Sequence, residues 1–334
     1  MKKYLAILAV LFTVILSSCS NDDIPVDQTI TFKVNPSTVV SSYQEFEPGE
    51  LSSLPSGANL RIRLLIYNEA GKLVAEDETY MNDYTHIMTS SFNLAQGLYT
   101  AVSCTDIVTD NKTFEYWDLS GKETLSTTTF TDKGYIGGSL KILGLNVTHF
   151  SVDSNTKDQN IDVKPAGALA FVWWKNWRRY NNVEAFRLYA NRSCDNMTLN
   201  ASGEPTYSVE SSNDVSDWRI ASMTYDSQYV GGYVYVFLFP VKNMTVQFGA
   251  SLKDNKYTLF KNAKEIVDIE LGREYYFTYD VTSEECEWLV LTDVDARSSK
   301  STLEYYGNNT TSNGFENNQS IRVMDFVQPG NLTE

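Results

Sequence analysis

Residues 60–74 read Leu60-Arg61-Ile62-Arg63-Leu64-Leu65-Ile66-Tyr67-Asn68-Glu69-Ala70-Gly71-Lys72-Leu73-Val74. Leu60, Ile62 and Leu64 alternate with Arg61 and Arg63, which is the period-two pattern of a strand with one apolar face. Asn68-Glu69-Ala70-Gly71 has turn chemistry, because glycine reaches positive φ without steric cost, and Lys72-Leu73-Val74 begins a return strand. Working outward, Thr29–Val34 alternates cleanly, and Ser91–Leu94 passes through Ala95-Gln96-Gly97 into Leu98–Cys104. Runs rich in Val, Ile, Thr, Tyr and Phe, broken by Gly, Asn, Asp and Pro, favour strands. Connections this short leave no room for helical crossovers, so the expected pairing is antiparallel.

The stretch from 105 to 160 is poorer in pattern, with Lys141–Val147 and His149–Val152 as its closing strands and a polar gap at 153–160. Ile161–Val163 restarts the pattern. Ala168–Trp174 is a continuous apolar run, as expected of a strand covered on both faces. Ala185–Ala190, Tyr233–Phe239, Thr245–Leu252, Lys264–Leu271 and Tyr275–Val281 follow as strands. The expected architecture is all-β, with two tandem antiparallel β-sandwich domains at 29–158 and 159–290. Residues 291–334 change character: Ser298–Asn318 is dense in Ser, Thr, Asn and Gly, as in a flexible tether. Ile321–Val327 then regains strand-like composition, so Ile321, Val323, Phe326 and Val327 are candidate strand-pairing residues.

At the N-terminus, Lys2 and Lys3 precede an apolar stretch from Tyr4 to Leu16. It is too short to cross a hydrocarbon core of about 30 Å. Leu16-Ser17-Ser18-Cys19 follows and resembles the lipobox of bacterial lipoprotein signal peptides. That resemblance implies removal of residues 1–18, acylation of Cys19, and a lipid-anchored linker at 19–28. Each buried CH₂ contributes about 0.8 kcal/mol, so several chains hold a protein firmly to a membrane. Ser20-Asn21-Asp22-Asp23 resembles the surface-export patch of outer-membrane lipoproteins. The expected location is therefore the outer membrane, lipid-anchored and facing the cell surface.

The chain carries 42 acidic residues against 27 lysines and arginines, a formal charge of −15. Loss of residues 1–18 would remove Lys2 and Lys3 and no acid. Such a surface repels phosphate backbones, so nucleic acid is not an expected partner. His86 and His149 share no ligand spacing, and Cys104, Cys194 and Cys286 lie far apart in sequence, which matches no zinc motif. Gly-x-Ser-x-Gly and His-Glu-x-x-His are absent, Lys133–Ser139 lacks a phosphate-loop lysine, and Asp293-Val294-Asp295 lacks the rest of a calcium loop. No catalytic residue, metal or cofactor is nominated, and an enzyme is not expected. Trp173, Trp174 and Trp177 are the candidate glycan-stacking residues, although Trp173 and Trp174 point to opposite faces of a strand and a core or interface role is the stronger reading.

The lipobox, the tandem β halves, Leu64–Val74 and the Leu94–Tyr99 turn together resemble the fimbrillin superfamily, whose lipoproteins build and anchor type V pili. The resemblance implies two transthyretin-like sandwich domains, pilin subunits as partners, and strand addition as the mode of assembly. Stalk pilins of that superfamily are cut after an arginine or lysine, which removes the lipid. Here Lys33, Arg61 and Arg63 all fall within expected strands. The expectation is a retained lipid and an anchor or accessory subunit; the alternative is a surface glycan-binding lipoprotein.

Overall fold

The computed structural model describes residues 27–43, 54, 56–110, 112–134, 138–156, 158–176, 183–214, 218–224, 233–252, 257–259, 265–280 and 285–291. The first half contains β1 (Gln28–Asn35), α1 (Ser37–Ser41), β2 (Asn59–Asn68), β3 (Leu73–Met81), β4 (Met88–Leu94) and β5 (Gly97–Thr109). It continues with β6 (Phe114–Glu115), β7 (Trp117–Ser120), β8 (Thr129–Asp132), β9 (Gly144–Val152), β10 (Gln159–Asp162) and β11 (Lys164–Pro165). One sheet has the order β10-β1-β4, and the larger one β11-β9-β5-β2-β3 with β6 beside β5. Ile30, Phe32 and Val34 of β1 share a core with Leu60, Ile62, Leu64 and Ile66 of β2. The fold is all-β, as the alternation at residues 60–66 predicts.

The turn after β2 forms as its residue types dictate. Gly71 has φ of 71°, its N–H donates to the Asn68 carbonyl at 2.8 Å, and the Lys72 N–H donates to Asn68 Oδ1 at 3.0 Å. Registers such as Asn59↔Val108 and Asn68↔Tyr99 keep β2 paired with β5 along its whole length. The far face of β2 is also covered. Leu65 and Tyr67 join Val102, Leu125 and Leu199 in a small second core, and the Tyr67 hydroxyl lies 2.8 Å from that of Thr128.

The second half contains β12 (Ala168–Lys175), β13 (Val183–Ala190), β14 (Arg192–Leu199), β15 (Pro205–Ser211), β16 (Trp218–Thr224) and β17 (Tyr233–Leu238). It ends with β18 (Val241–Leu252), β19 (Tyr257–Leu259), β20 (Glu265–Ile269), β21 (Glu274–Asp280) and β22 (Glu285–Leu291). Its sheets run β17-β12-β21-β22 and β16-β13-β18-β19, with β20 beside β18. Two parallel pairs, β1 with β10 and β12 with β21, interrupt the antiparallel pattern. Each joins strands far apart in sequence, where the intervening chain is long enough to return in the same direction.

β12 sits between two cores. Leu169, Phe171 and Trp173 face the core shared with the first half, while Ala168, Ala170, Val172 and Trp174 face the interior of the second sandwich. This accounts for its uninterrupted apolar run. Phe171 stacks on Tyr276 at 5.2 Å, and Trp117 from the first half meets Phe239 at 4.9 Å and Phe237 at 5.9 Å. A fifth sheet, β15-β14-β8-β7, crosses the halves through registers such as Met197↔Phe130. Residues 159–165, expected to open the second half, instead pair back as β10 on β1 and β11 on β9. The chain changes over at Gly167, where a Cβ would stand 2.5 Å from the Leu238 carbonyl and 2.6 Å from the Phe237 ring.

Candidate functional site

The features that bear on strand addition are the first strand, the cluster around Arg61, and the open sheet edges. β1 is held on both sides, parallel to β10 from Phe32↔Gln159 to Asn35↔Asp162 and antiparallel to β4 from Gln28↔Leu94 to Val34↔Met88. Lys33 faces outward between Asn160 and Thr89, so its peptide bond lies inside a sheet. Phe32 is fully buried and packs edge-on to Phe150 at 5.4 Å. A protease needs an extended, unpaired segment, and β1 offers none without local opening.

Arg61 sits on the outer face of β2, as alternation predicts, yet it is buried. Its side chain and that of Asp106 are each 3 % exposed, with Arg61 Nε donating to Asp106 Oδ1 at 2.9 Å and Nη2 to Oδ2 at 2.6 Å. Nη1 pairs with Glu115, which Lys133 also reaches at 3.0 Å. Arg63 pairs with Glu78 at 2.8 Å. Burial alone would lower the Arg61 pKa, but the hydrogen bonds and charges of Asp106 and Glu115 outweigh it and hold the group above its ordinary value. Burial alone would likewise raise the Glu115 pKa, and Arg61 and Lys133 bring it below the ordinary value instead. Asp106 and Glu115 escape a sequence reading. The one signal is a lone acid inside the otherwise uncharged strand segment Val102–Ile107, at the register position opposite Arg61.

Two of the sheet-edge strands, β3 and β15, illustrate the choice of pairing edge. β3 borders the large sheet and carries Glu76, Asp77 and Glu78, a charged edge of the kind that discourages pairing. Its first residue is already engaged, since the Leu73 N–H donates to the Glu123 carbonyl at 3.0 Å. β15 borders the sheet that crosses the halves, with Val209 exposed and a single acid, Glu210, within the strand.

No family model and no curated protein matches the chain. Solved structures do. A fimbrial assembly protein from Parabacteroides distasonis superposes with a TM-score of 0.41 at 10 % identity, covering 81 % of this chain and 97 % of that one. A C-terminally truncated tip fimbrial protein from Porphyromonas gingivalis gives 0.44 at 8 %, covering 79 % and 99 %. A proposed polysaccharide-binding protein from Bacteroides thetaiotaomicron gives 0.45 at 13 %, covering 78 % and 93 %. Fimbrial proteins thus stand among the structures that this chain resembles in fold.

Trp173 and Trp174 take the core reading rather than the glycan-stacking one. Trp173 is 5 % and Trp174 0 % exposed, so neither can stack on a sugar. Trp173 packs near Phe171 and Trp174 against Phe186 and Phe248, which makes them core and interface residues. Trp177 lies outside the described residues, as do Cys19, Ile321, Val323, Phe326, Val327 and Asp293–Asp295. Cys104 and Cys194 are free thiols. His149 meets the Thr100 hydroxyl at 2.9 Å, His86 pairs with Asp83 at 2.8 Å, and no metal-competent cluster occurs among the described residues.

Proposed function

We propose that this protein is a structural cell-surface lipoprotein that is held in the outer membrane by acylated Cys19 and that anchors or helps to assemble a pilus by β-strand addition. The observation that carries this reading is the double pairing of β1 together with the burial of Arg61. Between Lys3 and Arg61 the sequence has one basic residue, Lys33, and it lies inside a three-stranded sheet. A protease that cuts after arginine or lysine has no open site there, so the lipid stays attached to the folded body. Gln28 begins β1 only a few residues after Cys19, and at roughly 3.3 Å per extended residue the sandwich stays within about 30 Å of the membrane. Partner strands would add at an open edge, where backbone hydrogen bonds supply affinity and side-chain pockets set register. The edge of β15 is the less charged of the two described above.

Labelling cells with radioactive palmitate tests the anchor. Wild type should incorporate label and Cys19→Ala should not. Trypsin treatment of intact cells should then leave the labelled protein at full length through residue 61. Label on the alanine variant, or a native-state cut after Lys33 or Arg61, would sink the reading.

A further inference from the structure

The outer face of the sheet β16-β13-β18-β19 carries two arginines with no carboxylate partner among the described residues. On β13, Phe186, Leu188 and Ala190 face the core, so Arg187 and Tyr189 face away from it. On β18, Val246, Phe248 and Ala250 face the core, so Gln247 and Gly249 face outward. The registers Tyr189↔Arg219, Tyr189↔Gln247 and Arg187↔Gly249 place these residues on adjacent rungs of one face. The β16 partner of Arg187 is Ser222, and across the bulge between Leu188 and Tyr189 Arg219, three positions from Ser222, pairs with Tyr189 on the next rung of the same face.

The charge balance here is unlike the rest of the molecule. Acids outnumber bases 42 to 27, so an arginine ordinarily has a carboxylate at hand. Arg61, Arg63 and Arg273 each pair with one, and Arg192 Nη1 donates to the Lys242 carbonyl at 3.1 Å. Arg187 and Arg219 have no carboxylate partner among the described residues. Arg187 Nε is shielded from solvent without an acceptor, which is a costly state for a charged donor. Arg219 stands exposed at the rim, where packing and then the positive charge of Arg187 lower its pKa. Tyr189 and Gln247 are both buried beside them, and Gly249 places no side chain on the rung of Arg187.

We propose that Arg187 and Arg219 form an anion-binding site whose ligand is an oxyanion, a carboxylate or sulfate, brought from outside the chain. Guanidinium groups grip such anions bidentately, and one anion between two cations relieves their repulsion. The site is independent of strand addition and stands or falls separately from it.

Calorimetric titration of the detergent-solubilised full chain in chloride buffer tests the proposal, with sodium sulfate, sodium galacturonate and neutral galactose as ligands. Saturable binding of sulfate or galacturonate, with none of galactose, is expected. Sulfate alone would identify a free inorganic anion as the source, and tighter galacturonate binding an acidic sugar. Arg187→Gln and Arg219→Gln should each weaken binding at least about tenfold, Arg219→Lys should retain part of it, and Arg273→Gln should leave it unchanged. Because Arg187 has no carboxylate partner among the described residues, Arg187→Gln should melt no lower than wild type in chloride. Absence of saturable anion binding would overturn the proposal, as would binding that survives both glutamine variants or a marked melting loss in Arg187→Gln.

Discussion

Asp106→Ala isolates the claim that Arg61 is locked against proteolysis. In the wild type both oxygens of Asp106 accept from Arg61, and both side chains are almost wholly shielded from water. Breaking one side of such a buried pair costs about 3–5 kcal/mol, because the remaining charge is left without compensation. Glu115 still holds Nη1 of Arg61, which places the expected loss near the lower end, about 3 kcal/mol. At about 1.4 kcal/mol per factor of ten, the open fraction rises by roughly two orders of magnitude. Where opening and closing are fast relative to cleavage, the cutting rate follows that fraction. Urea unfolding should therefore show the stability loss, and mass spectrometry of a trypsin time course should show a matching acceleration of cleavage after Arg61. Asp106→Asn, which keeps one acceptor, should fall in between. A loss below about 1 kcal/mol, with cleavage within about twofold of wild type, would refute the reasoning.

Four further outcomes are expected. Glu78 and Glu115 have folded pKa values below the ordinary 4.5, so their stabilisation is complete above that pH and is lost as acidification passes through the depressed folded values; urea midpoints should fall steeply below pH 4.5. Trp174→Ala should destabilise by about 3–5 kcal/mol in thermal or urea unfolding and leave any glycan binding unchanged, because the indole is buried among Phe186 and Phe248. Burial pushes the Cys104 thiol up to about 12, with Arg63 opposing, so iodoacetamide at pH 8 should spare it until the protein unfolds, as read by peptide mapping. Deleting residues 318–334 should weaken co-purification with pilin if Ile321–Val327 pairs with a neighbour, or lower the melting temperature if it pairs within the chain; no change in either would make the segment a plain tail.

Alternation at residues 60–66 determined by itself that β2 is a strand and which of its faces joins the core, because the period of two is set by the backbone. The continuous run Ala168–Trp174 likewise determined that β12 would be covered on both faces. Neither pattern says what does the covering. Arg61 reads as a solvent-facing residue, and only the arrival of Asp106 and Glu115 from β5 and β6 turns that position into a buried ion pair. Trp173 and Trp174 read more readily as core than as a sugar platform, and only the packing of the second sheet against the first half shows which surfaces bury them. The weakly patterned stretch after residue 105 had no legible fold because β7 and β8 join neither sandwich sheet. β7 pairs with β8, and β8 with β14, about seventy residues later in the chain. Local sequence carries strand identity and facing through a backbone period, whereas partner choice across such separations depends on which surfaces meet, and that only the assembled tertiary structure fixes.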